Sequence, residues 1–455
     1  MNTTRRAFDV VVLGGGPAGA GAAAALARLG VRVALVARPA EDSCEGVSRR
    51  SAALLRAQGL HRASEVLGVP LPRRAFWAGA WTRTGVEHIV SRRALHAALA
   101  ADAARAGATV FDAAAAVPGR RGRNWLVRAG VRDIEGRFLV EARGRRIAHA
   151  RVRGPRLLAM NMACERLIGA DPGSSVVALA DGWCWAVALP DGRGALQFVG
   201  APRASGADPA RRLVAAIRDC EALRPWLGGL DPAQAPVARA ATAQLATDGD
   251  CVDRFAAGDA LVALDPLSGQ GVYEALSAVP VSVAAVTGAL AGDEPALRAR
   301  FVADRARAIW VRTVSAARDF YGAQAAHAGE KFWVRAAADY DALAGECASP
   351  AVTGPCIERR PVLNGTRIEQ APVVVTAEHP RGAWQVDGVG LAALIHAVEL
   401  DPAADTAALA RRMDRPEESV GRALGWLRRQ GIGVMNVEGR PVAQAAAAGS
   451  GGGRS

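Results

Sequence analysis

The apolar run Val10 to Leu13 breaks directly into Gly14, Gly16 and Gly19, and then into an alanine-rich stretch that ends at Gly30. The run reads as a fully buried strand and the alanine-rich stretch as a helix, so the glycines form a GxGxxG at a strand-to-helix turn. Each glycine has its own physical task. Gly14 permits the tight turn, Gly16 lets the backbone approach a pyrophosphate, and Gly19 lets the helix lie close on the sheet. The unpaired amides of the helix N-terminus then face the phosphates. Pro17 at the helix start and a following strand, Val31 to Val36, supply the context the motif needs. The stretch predicts a dinucleotide site.

Which dinucleotide is indicated far downstream, by Phe255 to Ser277, FAAGDALVALDPLSGQGVYEALS. This stretch resembles the second fingerprint of the FAD-dependent monooxygenases and reductases of the p-hydroxybenzoate hydroxylase, geranylgeranyl reductase and tryptophan halogenase superfamily. The resemblance implies that Gly258 and Asp259 meet the ribityl and phosphate region of FAD. It also implies that Pro266 lies beside the isoalloxazine, and that Gly269, Gln270 and Gly271 open a helix whose amides face the N1 and C2 carbonyl edge. Electrostatics agrees, because reduced flavin is negative at that edge and a helix N-terminus stabilises an anion.

A chain of 455 residues has room for two or three domains, and 51% apolar with 22% charged residues is ordinary globular composition. The net charge of +12 favours an acidic partner by steering. An arginine-rich coding bias explains it equally well, since Lys331 is the sole lysine. Seven cysteines without a CxxC pair fit neither a disulfide framework nor a zinc site, so the reading is a reduced, cytoplasmic protein with no metal. Arg5 and Arg6 imitate a twin-arginine signal, but Asp9 interrupts the run behind them. No membrane span is expected.

Along the chain, the second strand should end in an acid that binds the adenosine ribose. Ala37 stands there instead, followed by Arg38, which is left to meet a phosphate or adenine. Ser43 to Leu60 resembles the family's loop and helix near the flavin, with Glu45, Gly46 and Ser48 at the matching positions. Glu45 either faces the flavin or caps the helix. Short alternating segments over 71–90, with Trp77, Trp81 and His88, read as a sheet excursion away from the cofactor domain. Arg92 occupies the place of the family's cofactor-binding Arg, and His96 that of its Asp; a lone helical His is usually a surface or satisfied core residue. The resemblance places adenine against the backbone around Val117, and puts Glu141 in the strand that crosses under the FAD. The Asp-Gly pair that serves NADPH in this part of single-component hydroxylases is not found around that strand, which makes a separate electron donor plausible.

Strand-like runs over 151–240 suit an antiparallel sheet that roofs the flavin. Within them GWCWAVALPDG, from Gly182, resembles the Trp-x-Trp signature of flavin halogenases, with Trp183 and Trp185 kept. Two aromatics on one strand face would look the same. Halogenases use an early Lys, and none precedes Lys331, so halogenation is disfavoured. Ala296 to Leu343 has a helical pattern in which aromatic residues serve a core. Residues 346–380 read as a linker. Leu391–Leu400, Asp405–Met413 and Pro416–Gln430 read as three helices, followed by short strands at 434–437 and 441–442, an arrangement similar to a winged helix. It is read as a peptide- or protein-docking module before a flexible tail at 443–455, with DNA a weaker candidate.

The expected architecture is therefore α/β. A Rossmann-like FAD domain (1–70, 91–150 and 241–345) is interrupted by an antiparallel-sheet substrate domain (71–90 and 151–240), in the hydroxybenzoate-hydroxylase fold, and is followed by a docking module at 381–442. The expected function is that of an FAD-dependent monooxygenase that hydroxylates an aromatic substrate through a flavin C4a-hydroperoxide, using O2 and an external reductant, NAD(P)H or a flavin reductase. The missing Lys, the Trp pair and the C-terminal module resemble the monooxygenases that hydroxylate a protein-bound tryptophan in cysteine tryptophylquinone biogenesis. Glu45, Trp183, Trp185 and Pro266 are the candidates nearest the chemistry. Two other classes stay open: a flavin-dependent reductase of a prenyl or other alkene, and a flavin-bearing DNA-binding regulator.

Overall fold

Val10, Val11, Val12 and Leu13 are fully buried, as the centre of a parallel sheet requires. The computed structural model describes residues 7–146, 151–167, 169–202, 209–230, 236–247, 250–346 and 354–432. Its contacts divide the chain into a first unit, 1–348 with 365–367, and a second unit made of the rest.

In the first unit Ala7–Leu13 pairs in parallel with Val33–Ala37 on one side and Arg132–Glu141 on the other, and Thr109–Asp112 and Arg254–Ala256 extend the sheet outward. The helix Pro17–Arg28 crosses this sheet. Its alanines at 20, 22, 23 and 24 are fully buried, and only small side chains permit that approach, because a Cβ built on Gly19 would meet the Gly14 carbonyl at 2.1 Å. Burial of each of Val10, Val12, Leu26 and Leu35 contributes about 1.5–3 kcal/mol. Gly30, at φ +80°, ends the helix where an L side chain would be strained.

A second, eight-stranded sheet runs in the order Val237–Ala240, Leu158–Cys164, Gly194–Gly200, Gly182–Ala188, Gly173–Leu179, Leu71–Trp77, Ala80–Ser91, Cys44–Ser48. Two features differ from expectation. The pair Leu71–Trp77 and Gly173–Leu179 is parallel, so the sheet is mixed although mostly antiparallel. Cys44–Ser48, expected within the cofactor domain as a loop, is an edge strand of this sheet, paired to Ala80–Ser91.

A helix over Pro295–Ala328 lies against this part of the unit. At 1.5 Å per residue it is about 50 Å long. Its buried positions Ala306, Ile309, Trp310, Val314, Ala317 and Tyr321 follow the helical period and share a core with Trp183, Trp333 and Tyr340. The apolar stretch 271–291 is mostly buried within the unit.

The second unit has its own core. Val374, Val389, Leu394, Leu409, Val420, Leu424 and Leu427 meet among the helices Leu391–Leu400, Thr406–Met413 and Glu417–Arg429. The linker reading fails in part, because Cys356–Asn364 and Arg367–Val375 form a two-stranded sheet. Gly365, at φ +57°, and Thr366 make the tight turn between them, where the glycine supplies the left-handed backbone. The strands expected at 434–437 and 441–442 lie outside the described residues.

Candidate active site

The two glycine motifs meet. A Cβ built on Gly258 would stand 2.8 Å from the Cβ of Ala18, so the second fingerprint seats directly on the first turn of Pro17–Arg28. Between them runs the crossover after Glu141: Ala142 N–H donates to the Leu13 carbonyl at 2.8 Å, and Ala257 N–H to the Glu141 carbonyl at 2.9 Å. Gly14, at φ +114°, has no room for a side chain, since its Cβ would lie 2.3 Å from the Ala142 carbonyl oxygen.

A cleft of about 1190 Å³ opens at this junction and extends under the second sheet. It exceeds the roughly 300–1,000 Å³ of ordinary small-molecule sites, which leaves room beside a dinucleotide. Gly14, Gly16, Arg38, Arg92, Val117, Asp259, Gly269 and Gly271 line it, as do Glu45, Trp183, Trp185 and Pro266. Gly19, Gly258 and Gln270 do not. The first two act by close packing, and Gln270 is the residue that precedes the helix Gly271–Ser277. Val117 is 87% exposed and meets the cleft at its rim.

The donors fit FAD. Pro17–Arg28 carries no side-chain cap and no acid in its first turn, and the space where a Gly16 Cβ would stand holds nothing nearer than His96 Cε1 at 3.5 Å. Free amides and a positive helix end therefore face the cleft where a pyrophosphate would lie. Gly271–Ser277 likewise has an uncapped N-terminus on the cleft, and a Cβ on Gly271 would meet open space. Asp259 is held by Arg145 at 3.3 Å. The same guanidinium donates to the carbonyls of Ala241, Thr242 and Leu264, which ties the crossover to both sheets' connections.

Glu45 lies on the strand Cys44–Ser48 and does not cap the next helix. Ser48 does that, its hydroxyl accepting from Ser51 N–H at 3.1 Å. Desolvation in the cleft raises the Glu45 carboxyl above the usual range although 30% of the side chain stays exposed, and Arg92 at 3.9 Å opposes the shift. Arg92 follows Ser91, which caps the helix Arg92–Arg105.

The two tryptophans differ. Trp183 is 2% exposed, and its indole N–H donates to the Tyr321 hydroxyl at 3.3 Å. Trp185 is half-buried and donates to Glu87 Oε1 at 3.2 Å. Trp183 is thus a wall braced from behind, and Trp185 a wall with an open surface.

Several site residues escaped the sequence reading. His96, expected on the surface or in the core, lines the cleft opposite Gly16, and burial with Arg92 and Arg239 nearby lowers its pKa to about 4. Asp265 is buried beside Pro266 and accepts from Leu267 N–H at 2.8 Å, from Tyr321 at 3.1 Å and from Tyr340. Burial raises its carboxyl above the usual range against those hydrogen bonds. Glu87 accepts from Ser174 and Trp185 with Arg73 at 3.7 Å. The Asp-Pro of the second fingerprint was the available signal for Asp265. Glu87 had none, since its partners Ser174, Trp185 and Arg73 come from three strands other than its own. Among the described residues no cluster of His, Cys, Asp or Glu is arranged to hold a metal ion.

Comparison with known proteins agrees with this geometry. Residues 7–178 match the model of the FAD binding domain family. A peptidyl tryptophan dihydroxylase, QhpG, described as essential for tryptophylquinone cofactor biogenesis, is 32% identical. It matches with a TM-score of 0.77 over 94% of this chain and 100% of its own. The myxobacterial chondrochloren halogenase CndH shares the fold at 20% identity and a TM-score of 0.64, over 73% of this chain and 86% of its own. Aklavinone-11 hydroxylase, solved with FAD and aklavinone, does so at 19% identity and 0.55, over 71% of this chain and 70% of its own. No curated protein sequence matches the chain. The glycine junction, the uncapped helix ends and this end-to-end likeness make the chain a member of the FAD-dependent monooxygenases.

Proposed function

We propose that the enzyme hydroxylates a tryptophan side chain carried on a peptide or small protein, adding two oxygen atoms, as a step in making a tryptophylquinone cofactor. The observation that carries this reading is the likeness, along almost the whole chain, to a peptidyl tryptophan dihydroxylase. The cleft has space beyond a dinucleotide, and the chain has no lysine before Lys331 to act as a halogenase amine.

Bound FAD, once reduced by NAD(P)H or a partner flavin reductase, supplies activated oxygen to an electron-rich ring. The protein does the rest. The amides after Gly16 and at Gly271 would hold the two negative regions of the cofactor, Asp259 and Arg145 its ribityl side, and Arg38, Arg92 and the rim at Val117 its adenosine end. Pro266 would lie beside the ring system. Trp183 and Trp185 wall the pocket and keep water from the reacting ring. Glu45, whose carboxyl is raised by burial, would hold a proton at the cleft wall for delivery during turnover. The second unit, with its own core, offers the substrate polypeptide a separate place to dock. A cytoplasmic location belongs to the same reading.

Turnover of a Trp-bearing partner peptide with reductant, in air and under nitrogen, tests the proposal. Hydroxylation requires O2. Reduction of an alkene under nitrogen, with no reaction of the peptide in air, would establish a reductase instead.

A further inference from the structure

Glu87 is a carboxylate with a used half and an unused half. Its Oε1 accepts from the Ser174 hydroxyl and from the Trp185 indole N–H, and lies 3.7 Å from Arg73 Nε. Its Oε2 accepts no hydrogen bond from the described residues and stands over Gly46, where a Cβ would come within 2.6 Å of it. The side chain is only 10% exposed, and Glu87, Gly46, Arg73 and Trp185 all line the cleft. That oxygen keeps contact with the open cleft, so a ligand N–H that reaches it takes the place of water at a charged acceptor. Gly46 supplies the room, since any side chain there would press on that oxygen.

We propose that Glu87 is the substrate-orienting residue of the pocket, and that its Oε2 accepts a hydrogen bond from the ring N–H of an indole. This rests on the proposed tryptophan substrate and goes beyond it by assigning the contact that selects an indole over an aromatic ring without a donor. Trp185 gives the ring an apolar face and, by holding Oε1, fixes the direction of Oε2. Arg73 and Ser174 keep the carboxylate from turning. Positive charge that spreads to the ring nitrogen as the ring takes up oxygen is stabilised by the carboxylate at that nitrogen.

The test uses the oxidised holoenzyme and two probes, indole and 1-methylindole, titrated against the flavin absorption spectrum. Indole should bind about tenfold or more tightly, the difference made by one hydrogen bond to a charged acceptor. In Glu87→Gln the Ser174 and Trp185 donors retain the amide oxygen and turn the amide N–H toward the probe. The variant should keep its flavin spectrum and lose the preference for indole. Equal affinities in the unsubstituted enzyme, an unchanged preference in Glu87→Gln, or no saturable response to either probe would each overturn the assignment. Failure of the peptide reading shows separately, as tryptophan peptides that gain no oxygen from an enzyme that still prefers indole.

Discussion

His96 stands directly across from Gly16: a methyl group placed on that glycine would touch the imidazole Cε1 at 3.5 Å and nothing else of the protein within that distance. Gly16 has an ordinary extended backbone, at φ −77°, so the glycine there serves access and not conformation. Gly14, two residues earlier, is the reverse case, at φ +114° with the Ala142 carbonyl in the way. Gly16→Ala should leave the thermal stability of the apoprotein unchanged and weaken FAD binding at least tenfold. Gly14→Ala should cost about 1–3 kcal/mol in backbone strain alone and lower apoprotein stability before any cofactor is added. Melting curves and FAD titrations of the two variants separate these effects.

His96 gives the apoprotein an acid-side pH dependence. Its pKa falls from 6.5 to about 4 because burial and then the positive charges of Arg92 and Arg239 disfavour the imidazolium. Between those values the unfolded chain binds a proton that the native state does not, so stability drops as pH falls from about 6.5 toward about 4. His96→Gln should flatten that part of the profile in denaturant unfolding measured across the window.

Asp265 works with the opposite sign. Its raised carboxyl keeps a proton above the usual carboxylate range. From that range up to the raised value the native state binds more protons than the unfolded one, and stability falls as pH rises. Asp265→Asn should remove this slope and keep the fold. Asp265→Ala should cost about 1–3 kcal/mol for each of the Tyr321 and Tyr340 hydroxyls left without an acceptor. Unfolding free energies of both variants against pH provide the check.

Glu45 is the proton-holding candidate of the cleft wall. Glu45→Gln should lower kcat by roughly 10²-fold and divert consumed O2 to hydrogen peroxide, with KM for the peptide little changed. Product and peroxide, measured together per O2 consumed, decide the matter. Unchanged coupling and unchanged kcat would remove Glu45 from the chemistry.

The parts of this molecule that were legible in its sequence are those written in adjacent residues. The GxGxxG and the GD…DP…GxG run announced the cofactor, its turns and the two helix ends, because those tasks need particular residues at fixed spacing. Period-two and period-three-to-four patterns placed most strands and the long helices. Contacts between distant segments left no local mark. Asp265 meets Tyr321 and Tyr340 only because a long helix and the one after it fold back, and Glu87 meets Ser174 and Trp185 on two strands with which its own strand does not pair. His96 is a single histidine on a helix, a pattern with nothing to distinguish it until Gly16 is seen opposite. The hairpin turn at Gly365 and Thr366 carries a local glycine signal, but the prolines around it give the stretch the composition of a linker.

The central claim is tested most directly by mass spectrometry of a tryptophan-bearing partner peptide after incubation with the holoenzyme, a reductant and isotopically heavy O2. The account predicts two added oxygen atoms on the tryptophan ring, both drawn from O2. A peptide recovered unmodified while O2 is consumed, or oxygen drawn from water, would contradict it.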